Sequence, residues 1–334
     1  MDHIMRKTLA IFIILFSFLE AFDIKGRGAS FPAPLYRVWI SDFYNMTGNR
    51  VNFTQTGSGD GIKSVRRQMV DFGASDKPLD ARLREKYDLM MFPTVTGAII
   101  LAYHLPGIKD GELKLNSEAV AGIFNGSIEY WDDIRIQKHN PTLSLPHEKI
   151  IVVVRADKSG TTYNFTYYLS KIAPKSFSPS KKPEWKANVM GGKGNSGVSA
   201  TVKQLKYAIG YTEYSYKIKL GLSAAKVENK EGNFVAATMS NFQEAIKHAS
   251  WSIDDDFYAL LAYSEGVRAY PIVAATFVLL PKDADIIKNT NVAHFFDYAF
   301  SYGDEAAVRL GYVPLPEEAK QIVREYWKVK GMMP

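Results

Sequence analysis

The sequence contains no cysteine among its 334 residues. This absence excludes disulfide bonds, thiol catalysis and a lipid attached to an N-terminal cysteine. Histidine is scarce, and none is spaced to act on the serines discussed below. The histidines are His3, His104, His139, His147, His248 and His294. We therefore predict a protein that is not an enzyme, with no catalytic residue, no metal and no cofactor. A hydrolase with Ser58 or Ser159 as nucleophile is the enzymatic alternative.

The sequence also lacks long runs of like charge, internal repeats and low-complexity segments. Its net charge is +6 and its pI is near 9.1. The basic pairs Arg66-Arg67 and Lys181-Lys182 are isolated, which is typical of solvated faces, and we predict no nucleic-acid partner. A mild positive excess does help an anionic solute to approach. The chain is longer than one hydrophobic core usually serves, which predicts two domains.

The N-terminus carries an apolar run at residues 8–19, preceded by Arg6-Lys7. The run is about long enough for the core of a signal peptide and short for a membrane span. Ala21 suits the last residue before cleavage, although Leu19 at the third position back is not small. We predict a signal peptide at residues 1–21, with an uncleaved membrane anchor as the alternative. Export without disulfides is typical of a bacterial periplasm or cell exterior, and we predict the periplasm.

The most informative stretch is residues 151–162. Its first four residues are apolar and β-branched and predict a buried strand that ends at Arg155. Ser159, Gly160 and Thr161 then open a segment with helical spacing. The loop offers a guanidinium, two hydroxyls and several free main-chain N–H groups, and these donors suit a small oxyanion. An ordinary turn in which the serine caps the helix is the alternative.

Two further loops have the same order of strand, hydroxyl and helix. Ser30 and Phe31 precede a helix that begins near Pro34, and Ser58 lies in a Gly/Ser loop before another helix. Asp76 ends a short strand, where it is either a ligand or a helix cap. The glycine-rich residues 191–197 lack the spacing of a nucleotide loop and predict a turn before a helix.

The alternation of strands and helices predicts an α/β fold with mostly parallel sheets. Two long apolar strands, near residues 95–103 and 272–280, are candidates for crossings between two lobes. One lobe would then be built from both ends of the chain and the other from its middle.

A set of separated motifs identifies a family that the chain resembles. The motifs are Gly-Ala-Ser-Phe-Pro-Ala-Pro (28–34), Gly-Ser-Gly-Asp-Gly-Ile (57–62), Asp-Phe-Gly-Ala-Ser-Asp (71–76), Trp-Asp-Asp (131–133), Arg-Ala-Asp-Lys-Ser-Gly-Thr (155–161) and Ala-Ile-Gly-Tyr (208–211). In this order they resemble the periplasmic phosphate-binding proteins of bacterial phosphate ABC importers. The resemblance implies a type II periplasmic-binding-protein fold with two lobes, each a mixed, mostly parallel sheet flanked by helices, and a ligand cleft between them. We place lobe I at residues 22–100 and 268–334, and lobe II at 101–267.

The resemblance also implies a ligand, its binding residues and its partners. The ligand is inorganic phosphate, the partners are the membrane permease subunits of the importer, and the expected state is a monomer. The implied phosphate-binding residues are Ser30, Phe31, Ser58, Asp76, Arg155, Ser159, Gly160 and Thr161. The chain departs from the family at Ser30, where many members have threonine, at Arg27, where a small residue is common, and most of all at residues 173–188.

The chemistry of these residues agrees with that ligand. Helix N-termini and one arginine can compensate a buried anion if nearly every oxygen finds a donor. Asp76 would repel an anion unless the ligand brings a proton, as phosphate does at neutral pH and sulfate does not. We therefore predict that Asp76 sets the choice of phosphate over sulfate. The resemblance also implies that Asp157 orients Arg155. A receptor or surface protein for another tetrahedral oxyanion is the alternative.

Overall fold

The computed structural model describes residues 21–247, 249–254 and 256–333. The predicted signal peptide, apart from Ala21, and His248 lie outside these residues. The strands are β1 (Asp23–Gly28), β2 (Arg50–Gln55), β3 (Phe72–Ser75), β4 (Leu89–His104), β5 (Lys114–Leu115), β6 (Ile151–Arg155), β7 (Val189–Gly192), β8 (Ala208–Glu213), β9 (Ser223–Ala224), β10 (Lys226–Glu228), β11 (Phe234–Val235) and β12 (Val273–Pro281). The helices are α1 (Ala33–Thr47), α2 (Ser58–Arg66), α3 (Ala81–Tyr87), α4 (Ser117–Asn125), α5 (Ile134–Gln137), α6 (Gly160–Ile172), α7 (Gly194–Gln204), α8 (Tyr214–Leu220), α9 (Met239–Ile246), α10 (Ile286–Tyr302), α11 (Asp304–Arg309) and α12 (Glu317–Val329).

The main sheet has the strand order β2-β1-β3-β12-β4-β8-β6-β7, and β9 pairs with β4. Its outer pairs are parallel, as the alternation of strands and helices predicts. Its central pairs, β3–β12, β12–β4 and β4–β8, are antiparallel. The sheet is therefore mixed, because β4 and β12 run through its centre in opposite directions. A smaller sheet joins β11, β10 and β5.

Strand β4 connects the two halves of the main sheet. Its residues 89–98 pair with β12, and its residues 99–104 pair with β8. The partner changes between Ala98 and Ile99, beside the expected lobe boundary at residues 100 and 101. Apart from half-buried His104, every residue of β4 is buried, and so is all of β12. Such continuous apolar runs suit strands that are covered on both faces.

The helices pack on the sheet through the apolar stripes that the sequence shows. In α1 the buried stripe includes Leu35, Trp39 and Phe43, and Pro at the first turn starts the helix. Phe296 of α10 packs edge-on against Phe92 of β4, at a centroid distance of 5.7 Å. Such aromatic contacts add about 0.5–1.5 kcal/mol beyond the area they bury. Within the described ranges, no helix has both the length and the apolar character needed to cross a bilayer.

Candidate anion-binding site

The predicted ligand loops lie where strands end and helices begin. Ser30 and Phe31 lie between β1 and α1, Ser58 is the first residue of α2, and Asp76 directly follows β3. Arg155 ends β6, and the loop after it leads into α6. Parallel strands present their carboxyl ends at one edge of a sheet, which is where α/β proteins bind ligands. The structure brings loops from both halves of the main sheet together, as the following contacts show.

Ser58 connects loops from the two halves of the main sheet. Its Oγ accepts a hydrogen bond of 3.1 Å from the amide of Asp76 and another of 3.1 Å from the amide of Gly160. A Cβ at position 160 would lie 2.3 Å from this oxygen and 2.8 Å from Cβ of Asp76. Only glycine therefore allows the start of α6 to approach so closely.

Ser30 is held across the site by Asn195. The main-chain and side-chain nitrogens of Asn195 donate to Ser30 Oγ at 3.0 and 3.2 Å, and Nδ2 also donates to Thr161 Oγ1 at 3.2 Å. Sequence reasoning missed Asn195, because it treated residues 191–197 as a turn. The structure starts α7 at Gly194, so Asn195 lies in its first turn. The signal in the sequence is the amide side chain of Asn195 amid glycines.

Arg155 is fixed by Asp157. Its Nε and Nη2 donate to the two carboxylate oxygens at 2.8 and 2.6 Å, and its Nη1 donates to Thr161 Oγ1 at 3.2 Å. Burial alone would raise the pKa of Asp157, but the hydrogen bonds and charge of Arg155 leave that pKa below its usual value. A guanidinium carries five N–H donors, so Arg155 keeps donors for a ligand. This geometry matches the predicted role of Asp157.

Asp76 is a buried carboxyl with one well-bonded oxygen. Oδ1 accepts a hydrogen bond of 2.8 Å from Thr276 Oγ1, whereas Thr161 Oγ1 lies 3.5 Å from Oδ2. Burial raises the pKa of Asp76 to about 7, against the lowering effects of the Thr276 hydrogen bond and the Arg155 charge. Because its one contact is long, Oδ2 can accept a hydrogen bond from a ligand hydroxyl. Asp76 does not cap the following helix, because Asp80 does so.

Thr276 and Asn164 were also missed by sequence reasoning. Thr276 is the hydroxyl in the otherwise apolar β12, which was its signal. Asn164 Nδ2 donates to the carbonyl oxygen of Asp76 at 2.7 Å and to that of Gly160 at 3.0 Å. These contacts hold the Asp76 loop against α6. Asp76 is remote in sequence from both Thr276 and Asn164, so local patterns carry no sign of these pairings.

Several buried donors of the site have no partner. Among the described residues, the amides of Phe31, Ser58 and Thr161 make no hydrogen bond. Ser159 Oγ accepts from the amide of Thr162 at 3.0 Å, so it is the N-cap of α6, and its own hydrogen stays available. Unpaired buried amides are rare and costly, so the arrangement favours an acceptor from outside the protein.

The described residues contain no group of three or more His, Cys, Asp or Glu side chains arranged to hold a metal ion. The donors that converge are hydroxyls, amides and a guanidinium. Their partial and full positive charges suit an oxyanion with several acceptor oxygens.

Comparisons with known proteins agree with this geometry. A family model described as "PBP superfamily domain" matches residues 19–302. A phosphate-binding protein PstS from Haemophilus influenzae is 42% identical over 94% of this chain and 95% of its own length. A second one, from Pasteurella multocida, is 41% identical over 98% of this chain and 97% of its own length.

A solved structure shows the same fold. The crystal structure of the ancestral soluble variant of the human phosphate binding protein superposes with a TM-score of 0.76, at 20% identity, over 91% of this chain and 93% of that one. The α/β fold and its type II binding-protein class, predicted from the sequence, are thereby confirmed.

Proposed function

Because the chain belongs to the PBP superfamily and, within it, to the PstS phosphate-binding proteins, we propose that it binds inorganic phosphate outside the inner membrane and delivers it to an ABC importer. The observation that carries this proposal is the set of unpaired buried amides around Arg155 and Asp76. The partners are phosphate and the permease subunits of the importer, and the protein acts as a monomer in the periplasm.

The proposed phosphate-binding residues come from both lobes. They are Ser30, Phe31, Ser58, Asp76, Arg155, Ser159, Gly160 and Thr161. Asp76 is the acceptor among them, and the amide of Gly160 donates to Ser58 Oγ in this structure. The helices α1, α2 and α6 direct their N-termini at the ligand, and each contributes about half a positive charge. Charge-assisted hydrogen bonds contribute about 1.5–3 kcal/mol each, which offsets the cost of removing a dianion from water.

Asp76 selects among anions. Above the pKa of Asp76, about 7, phosphate still carries a P–OH group that can donate to Oδ2, whereas sulfate would present a bare oxygen to a buried carboxylate. The long contact of 3.5 Å between Thr161 Oγ1 and Oδ2 leaves room for this ligand bond. Phosphate is therefore preferred because sulfate is rejected.

The two lobes close around the ligand. We assign lobe I to residues 22–100 and 268–334 and lobe II to 101–267, with β4 and β12 as the crossings. The hydrogen bond of 2.9 Å from the amide of Gly59 to the carbonyl oxygen of Lys158 supports a closed form, because it would join the two lobes. Opening would break this bond and expose the donors to solvent.

A binding role accounts for the site better than catalysis. Among the described residues, no histidine makes a hydrogen bond to Ser58 or Ser159, so neither serine forms the serine–histidine pair of a serine hydrolase. Incubation with a chromogenic phosphoester should release no product above background. Release that is lost in Ser159→Ala would reassign the protein as a hydrolase.

Calorimetric titration tests the proposal. Phosphate should bind at one site, and sulfate should bind far more weakly. Arg155→Ala should abolish or severely weaken phosphate binding, because it also leaves Asp157 unpaired. Arg135→Ala is a matched control, since Arg135 makes the same two-pronged contact, at 2.8 and 2.6 Å, with Asp133 away from the site. Equal affinity in both variants would overturn the assignment of Arg155, and tight sulfate binding would favour a receptor for other oxyanions.

A further inference from the structure

A cavity adjoins the loops of the proposed phosphate site on their outer side. Its volume is about 460 Å³, and its lining includes Lys63, Arg66, Lys158 and Lys181. Lys63 and Arg66 belong to α2, the helix that begins at Ser58. Lys158 precedes Ser159, and Lys181 comes from the segment 173–188, in which the chain differs most from the family it resembles. The cavity is thus walled by both lobes.

The cationic side chains of this cavity have no carboxylate partner. Within the described part of the chain, none of the four lies within 4.0 Å of an acidic side chain. The carboxylate in the lining is Asp60, which faces Arg27 Nη1 at 3.8 Å. Burial lowers the pKa of Lys181, and the nearby charges of Lys77 and Lys158 lower it further. Like charges held together in this way favour a multivalent anion.

Two polar atoms beside the cavity are also unsatisfied. Thr56 Oγ1 and Arg27 Nε are buried and have no hydrogen-bond partner in the structure. Thr56 is part of the cavity lining, and Arg27 is bound to the Asp60 side of it. Buried polar groups are normally paired, so the unpaired Thr56 Oγ1 in the lining is a second indication, independent of the charges, that a polar ligand binds here.

The cavity is joined to the phosphate site through main-chain contacts. The amide of Gly59 donates to the carbonyl of Lys158 at 2.9 Å, and the amide of Ser159 donates to the carbonyl of Lys181 at 3.0 Å. Residues 158 and 181 therefore keep their positions relative to α2 only when the lobes are closed. A ligand that contacts both walls would favour the closed form.

We propose that this cavity is a second anion site that binds a linear triphosphate group across both lobes. Several separate ammonium and guanidinium groups suit a chain of phosphates better than a single one. Free tripolyphosphate and a nucleoside triphosphate share this chemistry. By linkage, a ligand that binds the closed form more tightly raises the affinity of the buried site for orthophosphate, and the reverse. The coupling rests on the proposed phosphate function, whereas binding in the cavity does not.

The first experiment titrates tripolyphosphate into protein already saturated with orthophosphate, at low ionic strength so that screening is small. One molecule should bind per chain. The double variant Lys158→Gln/Lys181→Gln should weaken this binding about fivefold or more. Lys328→Gln, which removes an exposed cation on α12, is the control and should bind as the parent does. ATP in place of tripolyphosphate distinguishes a nucleotide from a free condensed phosphate.

Each result decides the proposal. Absence of binding, or equal weakening by Lys328→Gln, would overturn the site. Binding that disappears once the buried site is filled would show that tripolyphosphate competes with orthophosphate and has no site of its own. A second titration, of orthophosphate with and without saturating tripolyphosphate, should show several-fold tighter binding in its presence. Unchanged orthophosphate affinity would overturn the bridging of the two lobes, even if the cavity binds triphosphate.

Discussion

The substitution Gly59→Ala separates closure of the lobes from the stability of the fold. A Cβ on Gly59 would lie 2.5 Å from Cβ of Lys158 and 3.1 Å from its carbonyl oxygen. Gly59 has no left-handed φ, so alanine fits its backbone, and alanine is favoured in α2. In the proposed two-lobe division, the collision therefore exists only when lobe II lies against lobe I.

The size of the effect follows from this distance. Carbon atoms in contact are normally 3.5–4.0 Å apart, so the closed lobes would have to separate by roughly 1 Å. The obstructing atom is the Cβ of Lys158, which cannot rotate away as the end of a side chain can. Overpacking of this kind costs about 1–3 kcal/mol. Because the cost falls on the closed form alone, the Kd for phosphate should rise about 5- to 150-fold.

Calorimetry and thermal unfolding measure the two consequences separately. The Kd for phosphate should rise as stated, while the Tm of the ligand-free protein should stay within a degree or two of the parent. The double variant Gly59→Ala/Lys158→Gly removes the obstructing Cβ and should bind nearly as well as Lys158→Gly alone. If Gly59→Ala binds phosphate as tightly as the parent, the contact between Gly59 and Lys158 is not part of the phosphate-bound form, and the reasoning is refuted.

Three further substitutions test individual contacts. Asp76→Asn should narrow the ratio of phosphate to sulfate affinity measured by calorimetry, because the buried negative charge that repels sulfate is gone; an unchanged ratio would contradict this. Tyr216 donates to the carbonyl of Ser30 at 2.8 Å, in the same peptide unit as the unpaired amide of Phe31. Tyr216→Phe should therefore weaken phosphate binding about 2- to 12-fold without lowering the Tm comparably, and a loss of Tm alone would mean that the hydroxyl only stabilises the fold. Burial raises the pKa of Glu213 from 4.5 to about 8, so the folded protein keeps a proton that the unfolded chain loses. This contribution to stability is fully present below about pH 4.5 and is lost as pH rises through about 8, by up to about 1.4 kcal/mol per pH unit. Glu213→Gln should flatten the decline seen by chemical denaturation between pH 5 and 8, whereas parallel curves would show that Glu213 does not titrate there.

Local patterns in the sequence were sufficient to predict the main elements. The strand predicted near residues 95–103 lies within β4, and the one predicted near 272–280 is β12 at Val273–Pro281. Both predictions succeeded because burial on both faces produces a continuous apolar run. The predicted cap at Ser159 is also present, because a cap depends on an amide only three residues away.

Contacts between remote residues were not predictable in this way. Thr276 is separated from Asp76 by 200 residues, and Asn195 is separated from Ser30 by 165. Nothing in a strand or a turn specifies which distant carboxyl or hydroxyl it will meet. The sheet is mixed, as predicted, but local patterns did not specify which pairs are antiparallel, since strand direction depends on the path of the chain between strands.

The sequence by itself determined the fold class, the family and the residue types offered at the start of each helix, because periodicity, caps and motifs are local properties. The eight phosphate-binding residues and the lobe boundaries stay predictions. Tertiary structure alone decided that Ser58 would bond to the amides of Asp76 and Gly160, and that Lys181 would line a cavity together with Lys158. These contacts bring together loops that follow different strands, and that depends on the order and register of the strands in the sheet.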